Sequence, residues 1–194
     1  MSNMVPGIRD PLDRVWTHRD LDDAPDDGNK YEVIDGVPYM TPLPTAWHQR
    51  AGLQLAYVLI QHVEAHGLGE VFHAGLKVVL DELTGVGPDV VFIPRDRAPG
   101  LRRDGLYGPP AMVTEVLSSK PRLDRVVKRD RYARAGIPWY WIVDPDECRL
   151  WEYELRAGEY VAVSEQGGDA AFRPLLFPGL VISLARLWGA RPTE

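Results

Sequence analysis

The sequence predicts an α/β domain built on a mixed β-sheet, and three observations lead to this fold class. The apolar runs 111–117 and 139–143 have the length and composition of strands that are buried on both faces. A helical pattern over residues 121–135 lies between these runs, and a helix between two strands is typical of a crossover connection. An Asp-Gly pair at 35–36, between two short apolar stretches, predicts an antiparallel hairpin. Parallel and antiparallel pairs together give a mixed sheet.

The other elements follow from periodicity and from turn residues. Apolar positions recur at helical spacing over residues 47–66, and Gly67 is a typical helix stop. Gly136, followed by Pro138, ends the second helix in the same way. We expect strands at 31–34, 37–40, 71–80, 90–93, 111–117 and 139–143, an edge hairpin at 150–155 and 160–163, a turn at 81–87, an Arg- and Gly-rich loop at 94–110, and a docked apolar tail at 175–188.

Length and composition are those of one soluble domain. The 194 residues are 45% hydrophobic and 26% charged, which is enough to bury a core. We expect a polar, partly ordered N-terminal segment at 1–30 and a single domain at 31–194. Thr17, with Asp20 three positions later, predicts one short capped helix in the first segment. The single cysteine, the lack of an apolar leader and the lack of a long apolar span predict a cytoplasmic protein without a membrane partner.

Charge and motifs exclude several classes of function. The formal net charge of −6 argues against strong non-specific binding to nucleic acid. The basic residues are segregated into 95–103 and 122–134, so a local basic surface is compatible with the composition, as is a solvated helix face. The sequence has no phosphate loop, no dinucleotide fingerprint and no G-x-S-x-G elbow. Nucleotide triphosphatases, Rossmann oxidoreductases and α/β-hydrolases are therefore excluded.

Two acidic residues stand in or beside runs that predict buried strands. Glu115 lies in the middle of 111–117, and Asp89 directly precedes the run 90–93. A carboxylate in such a strand loses its water and is costly unless a cation, a proton or strong donors compensate it. Two carboxylates on neighbouring strands are also what a hard cation such as Mg²⁺ recruits. A magnesium site is one interpretation; an arginine partner for Glu115, with Pro88-Asp89 as an ordinary turn pair, is the other.

Three further polar residues are candidates on weaker grounds. Lys128 stands four residues after Asp124, and this spacing fits either a surface ion pair or a lysine that reaches toward the neighbouring strand's carboxylate. Strand alternation favours solvent exposure for Glu32. His48, at the start of the first long helix, is expected to be a solvated residue. No histidine or cysteine partner lies at a ligand spacing, which argues against zinc.

Five stretches carry motifs that together are specific: YEVIDG at 31–36, residues 42–48, GPDVVF at 87–92, VTEVLS at 113–118 and YARAGIPWYWIVD at 132–144. In this order and spacing they resemble the Uma-two (Uma2) family of endonucleases, part of the restriction-endonuclease-like PD-(D/E)xK nuclease superfamily. The resemblance covers roughly residues 31–163. It implies a restriction-endonuclease-like fold, with a mixed central β-sheet flanked by helices.

The resemblance also implies roles for individual residues. Asp89 and Glu115 match the acidic positions that hold the metal, and Glu32 matches an early acidic position that completes the site. The superfamily pattern has a lysine two residues after the glutamate, where this chain has Leu117. Lys128 matches a lysine that the family carries on the following helix, so it is the expected catalytic lysine. Lys120, in the loop before Pro121, is a poorer candidate.

The function expected from these residues is a magnesium-dependent endodeoxyribonuclease, a hydrolase that cleaves DNA phosphodiester bonds and accepts manganese as a substitute. Its expected catalytic residues are Glu32, Asp89, Glu115 and Lys128, with Asp89 and Glu115 as metal ligands and no organic cofactor. The alternative is a non-catalytic module on a degenerate nuclease scaffold that binds nucleic acid or a protein. A homodimer, suggested by the aromatic residues around Trp139 and Trp151, is compatible with either.

Overall fold

A computed structural model of the chain describes residues 14–117 and 121–189, and it confirms the α/β class with mixed sheets. The strands are β1 Lys30–Ile34, β2 Val37–Thr41, β3 Gly69–His73, β4 Val78–Asp81, β5 Thr84–Val86, β6 Val90–Pro94, β7 Leu101–Arg102, β8 Gly105–Tyr107, β9 Met112–Val116, β10 Trp139–Asp144, β11 Arg149–Arg156, β12 Glu159–Gly167, β13 Ala171–Phe172 and β14 Ile182–Ser183. The helices are α1 Ala46–Ala65, α2 Arg129–Arg134 and α3 Leu184–Trp188, with 3₁₀ turns at His18–Asp23 and Arg95–Gly100 and a π-helical turn at Leu123–Lys128.

The strands form two six-stranded sheets and one short pair. The first sheet has the order β2-β1-β5-β4-β8-β7, and the second has the order β12-β11-β10-β9-β6-β3. In the second sheet β9 and β10 are parallel, joined through the π-helical turn and α2, while the other pairs are antiparallel. β13 and β14 pair with each other. The predicted crossover between two buried strands is confirmed, whereas the second large sheet was not foreseen.

The hairpin β1–β2 follows directly from its turn residues. Asp35 and Gly36 both adopt positive φ, +51° and +79°, as a primed two-residue turn requires. The strands then pair in register from Ile34 opposite Val37 to Lys30 opposite Thr41. The position of Glu32 at the centre of β1 is therefore set by the Asp-Gly turn.

The single strand predicted over residues 71–80 is wrong. The chain leaves β3 at His73 and bends at Ala74 and Gly75, whose φ angles are +39° and +81°. It enters β4 at Val78, and β3 and β4 belong to different sheets. The predicted turn at 81–87 likewise contains β5, and the predicted loop at 94–110 contains β7 and β8. An unbroken apolar pattern does not show where a strand changes sheets, because both sheets bury the same residue types.

The short N-terminal helix forms where its cap predicts, as a 3₁₀ turn. The Asp20 carboxylate accepts a hydrogen bond from the Thr17 backbone N–H at 2.7 Å and completes a capping box. Trp16 and His18 are buried against the first sheet, so this part of the polar segment contributes to the packing. Residues 1–13 of that segment lie outside the described residues.

The second sheet is covered on both faces, which makes β9 a fully buried strand. One face packs against α1 and the C-terminal residues 177–188, in a cluster that includes Leu55, Leu59 and Trp188. The predicted docking of the tail is thus confirmed. The other face packs against the first sheet and α2, in a cluster that includes Tyr132. Among residues 14–117 and 121–189, no helix has both the length and the apolar character needed to cross a membrane.

Candidate active site

Glu115 lies on the face of β9 that meets the crossover helix. Its side chain is only 2% exposed, and helical residues occupy both of its oxygens. Tyr132 donates its hydroxyl proton to Oε1 at 2.6 Å, and the Lys128 ammonium donates to Oε2 at 3.1 Å. The crossover that links β9 to β10 therefore supplies the groups that make a carboxylate tolerable in a buried strand.

Lys128 is the centre of a buried cluster. Its Nζ lies 2.9 Å from Glu32 Oε2, 3.1 Å from Glu115 Oε2 and 3.4 Å from Asp124 Oδ1. The pair with Asp124 matches the predicted i, i+4 spacing but is buried, because the Lys128 side chain is 2% exposed. Burial alone would lower the pKa of Lys128, but the Glu115, Glu32 and Asp124 carboxylates raise that pKa well above its usual value. Lys128 is thus a charged ammonium enclosed by three carboxylates.

The exposure predicted for Glu32 is wrong, since this residue is 1% exposed. β1 is an inner strand between β2 and β5, and the face that carries Glu32 meets Lys128. The second oxygen, Oε1, accepts a hydrogen bond from the Gly87 backbone N–H at 2.9 Å. Burial raises the pKa of Glu32, but Lys128 and Lys30 outweigh it, so the pKa lies below its usual value.

Asp89 stands just before β6 and is anchored to the backbone of β9. Its Oδ2 accepts the Val116 N–H at 2.7 Å and lies 3.3 Å from His48 Nε2, while its Oδ1 lies 3.6 Å from Lys30 Nζ. Burial raises the pKa of Asp89, but Lys30 and His48 together move it well below its usual value. Asp89 is therefore ionised and held beside the end of the strand that carries Glu115.

Glu115 has the opposite protonation tendency. The pKa of Glu115 is raised to about 8, and burial is the largest cause of this rise. The Lys128 and Lys30 ammonium groups lower the pKa, whereas the Asp89 carboxylate raises it further. Without a further cation, Glu115 therefore takes up a proton more readily than an ordinary glutamate. Two neighbouring carboxylates with pKa values displaced in opposite directions are characteristic of functional sites.

One cleft brings the predicted residues together. Asp89, Glu115 and Lys128 line it with Lys30, His48 and Asp124, and Glu32 supports Lys128 from the inner side. A second cleft adjoins the first and shares Lys30, His48 and Asp89 with it. All four residues predicted to be catalytic thus converge, whereas Leu117 is buried in the core. Lys120, and Ser118 of the fourth motif, lie outside the described residues.

Sequence reasoning missed Lys30 and misjudged His48. Lys30 precedes Glu32 by two positions, and this period places both side chains on the same face of β1. Strand alternation therefore could have predicted that Lys30 lies beside Glu32. His48, expected to be solvated, has a side chain only 13% exposed and directed at Asp89. The Thr45 hydroxyl caps the first turn of α1 by accepting the His48 N–H at 3.2 Å, which fixes the start of that helix. No local pattern shows that this helix end faces β6.

The charge balance of the cluster, rather than a preformed set of ligands, leaves a place for one divalent cation. Within the part of the chain that the structure describes, no group of three or more His, Cys, Asp and Glu side chains is arranged to hold a metal. Magnesium, however, commonly takes only one or two protein carboxylates and keeps waters and substrate oxygens as its other ligands. The cluster contains four carboxylates (Glu32, Asp89, Glu115 and Asp124) and two ammonium groups (Lys30 and Lys128). If all are ionised, two negative charges are left without a partner, and one divalent cation would balance them.

Comparisons with known proteins agree with the fold and the motifs. The model of the Uma2 family, described as "Putative restriction endonuclease", matches residues 18–185. A crystal structure from Anabaena variabilis ATCC 29413, described as a putative nuclease belonging to DUF820, superposes with a TM-score of 0.70 at 20% identity. The superposition covers 89% of this chain and 97% of that one. No curated protein matches the sequence.

Proposed function

This chain belongs to the Uma2 family, and from that membership and the geometry of the cleft we propose that it is a magnesium-dependent endonuclease that hydrolyses DNA phosphodiester bonds. The observation that carries the proposal is that Asp89 and Glu115 line the same cleft, where the carboxylates outnumber the ammonium groups. A cluster with this excess of negative charge is costly for the protein alone. It is compensated when a divalent cation binds.

Asp89 and Glu115 would hold the magnesium ion, or manganese in its place. When bound, the ion polarises a phosphoryl oxygen and lowers the pKa of a coordinated water. Asp89 is already oriented for this by the Val116 N–H. Tyr132 and Lys128 fix the two oxygens of Glu115, so the ligands need little reorganisation.

Lys128 and Glu32 act as positioning residues in this proposal. Lys128 holds the carboxylates of Glu32 and Glu115 within 3.1 Å of one nitrogen. Glu32 in turn is held by the Gly87 N–H, and its ion pair with Lys128 connects the first sheet to the site on the second. The superfamily carries a lysine two residues after its glutamate. In this proposal Lys128, from the crossover helix, takes the place of that lysine as the partner of Glu115.

Cleavage of supercoiled plasmid DNA tests the proposal. We expect the purified protein to nick or linearise the plasmid in Mg²⁺ or Mn²⁺ and to leave it intact in EDTA, because two carboxylates alone do not activate water. Conversion to open-circle and linear forms is measured on agarose gels. Equal cleavage in EDTA would contradict metal dependence.

The second candidate function is a nucleic-acid-binding module that retains the scaffold. The replacement of the motif lysine by the buried Leu117 favours it, because a degenerate motif is expected when catalysis is lost. This candidate predicts DNA binding in gel-shift assays without cleavage in any divalent metal. That pattern of results would replace the nuclease proposal.

A further inference from the structure

The ammonium of Lys128 is already committed to the protein. An ammonium group has three N–H donors, and three carboxylates surround the Lys128 nitrogen at 2.9–3.4 Å. With 2% of the side chain exposed, a phosphate oxygen could reach this nitrogen only by displacing one of them. Lys128 therefore stabilises the cluster but is poorly placed to contact a substrate.

Lys30 has the opposite environment. Its side chain is 34% exposed. Among the described residues, its ion-pair partners are Asp89 and Glu32. The Lys30 Nζ lies 3.6 Å from Asp89 Oδ1 and 3.8 Å from Glu32 Oε1. Both distances exceed that of a hydrogen bond. The ammonium thus lies in the electrostatic field of the acidic cluster but keeps donors free for another acceptor.

The position of Lys30 is defined by the backbone around it. It lies on β1 two residues before Glu32, and its Cε packs over Gly87, where a Cβ would lie only 3.3 Å away. Lys30 lines both the cleft that contains Glu115 and the adjoining cleft. A phosphodiester backbone that runs from one cleft into the other therefore passes this ammonium.

We propose that Lys30 is the catalytic lysine that contacts the substrate phosphate, and that Lys128 is the internal counter-ion of the carboxylates. The inference rests on the proposed nuclease function and deepens it.

In hydrolysis the oxygen of water bonds to phosphorus, the bond from phosphorus to one ester oxygen breaks, and a proton from the water ends on the departing oxygen. Negative charge grows on the phosphoryl oxygens in the transition state, and the Lys30 ammonium offsets that charge.

Lysine footprinting tests this assignment without any substitution. The chain contains lysines at positions 30, 77, 120 and 128, so mass spectrometry can follow each after labelling with an amine-reactive reagent. We expect Lys30 to be labelled in the free protein and protected by a DNA duplex in Ca²⁺, which supports binding without turnover. Lys128 should stay unlabelled in both states. Equal labelling of Lys30 with and without bound duplex would overturn the assignment.

Substitution supplies the functional test. Lys30→Met should lower the rate of plasmid cleavage about 100-fold, the usual loss when one donor to transition-state charge is removed, and should weaken duplex binding in Ca²⁺. Arg156→Met is the control, because it removes one positive charge from the exposed tip of the β11–β12 hairpin. Its rate of plasmid cleavage should stay within about twofold of the rate of the parent protein. If Lys30→Met does not fold, Lys30→Gln serves as the charge-free variant. Lys30→Arg keeps the charge and should bind the duplex more tightly than Lys30→Gln.

The outcomes separate the inference from the proposed function. If the parent cleaves DNA and Lys30→Met cleaves equally well, the role of Lys30 is wrong and the nuclease proposal stands. If the parent neither binds nor cleaves DNA in any divalent metal, the proposed function fails and the role of Lys30 fails with it. Protection of Lys30 by duplex, together with loss of cleavage in Lys30→Met, supports both.

Discussion

Asp89→Asn should abolish magnesium-dependent cleavage of plasmid DNA while leaving the protein folded. Asparagine keeps the shape of the side chain and an oxygen that can accept the Val116 N–H, but it removes the negative charge that would hold the cation. The loss should reach about 1,000-fold or more, because the metal supplies both the activated water and the compensation of phosphoryl charge. Initial rates of plasmid nicking at saturating Mg²⁺ measure this effect.

Asp169→Asn is the matched control for that substitution. Asp169 is exposed in the turn after β12 and lines neither cleft, so its loss changes the net charge by the same amount without touching the site. We expect the control to cleave at the parent's rate. If Asp89→Asn cleaves as fast as Asp169→Asn, this cleft is not the catalytic centre.

Lys128→Met should cause the largest loss of stability of any single substitution in the site. Removal of one partner from a buried ionic cluster leaves charge without compensation and typically costs about 3–5 kcal/mol. Here the side chains of Glu32, Glu115 and Asp124 lose the ammonium that all three contact. Urea denaturation followed by tryptophan fluorescence gives the change in the free energy of unfolding.

Lys77→Met provides the comparison, because Lys77 is also paired but with an exposed partner. Its Nζ lies 2.6 Å from an Asp22 oxygen, and the Asp22 side chain is 61% exposed. A pair of this kind contributes about 1 kcal/mol or less. A Lys128→Met protein that is as stable as Lys77→Met would contradict the role of Lys128 as the counter-ion of the cluster.

The parts of the fold that sequence reasoning recovered depend on local physics. The Asp35-Gly36 turn determines its hairpin because few residues tolerate two successive positive φ angles. The buried strand β9 is recognisable because both of its faces carry apolar residues. Glu115 and Asp89 stood out for the same reason, since an acidic residue is conspicuous in an apolar run.

The parts that were missed depend on how distant segments meet. Strand alternation assigns Glu32 to one face of β1 but does not show whether another layer covers that face. In this fold the second sheet and the crossover helix cover it, so Glu32 is buried. His48 and Lys30 reach Asp89 from α1 and β1, and the approach of these elements to β6 is a tertiary property that no local spacing encodes.

Calorimetric titration of Mn²⁺ into the metal-free protein tests the central claim most directly. We predict binding of a cation that Asp89→Asn loses. Because burial raises the pKa of Glu115 to about 8, a proton should be released on binding at pH 7, and metal affinity should rise as the pH increases through that pKa. Titrations in buffers with different ionisation enthalpies measure the release. Absence of binding, or equal binding by Asp89→Asn, would contradict a metal site at Asp89 and Glu115.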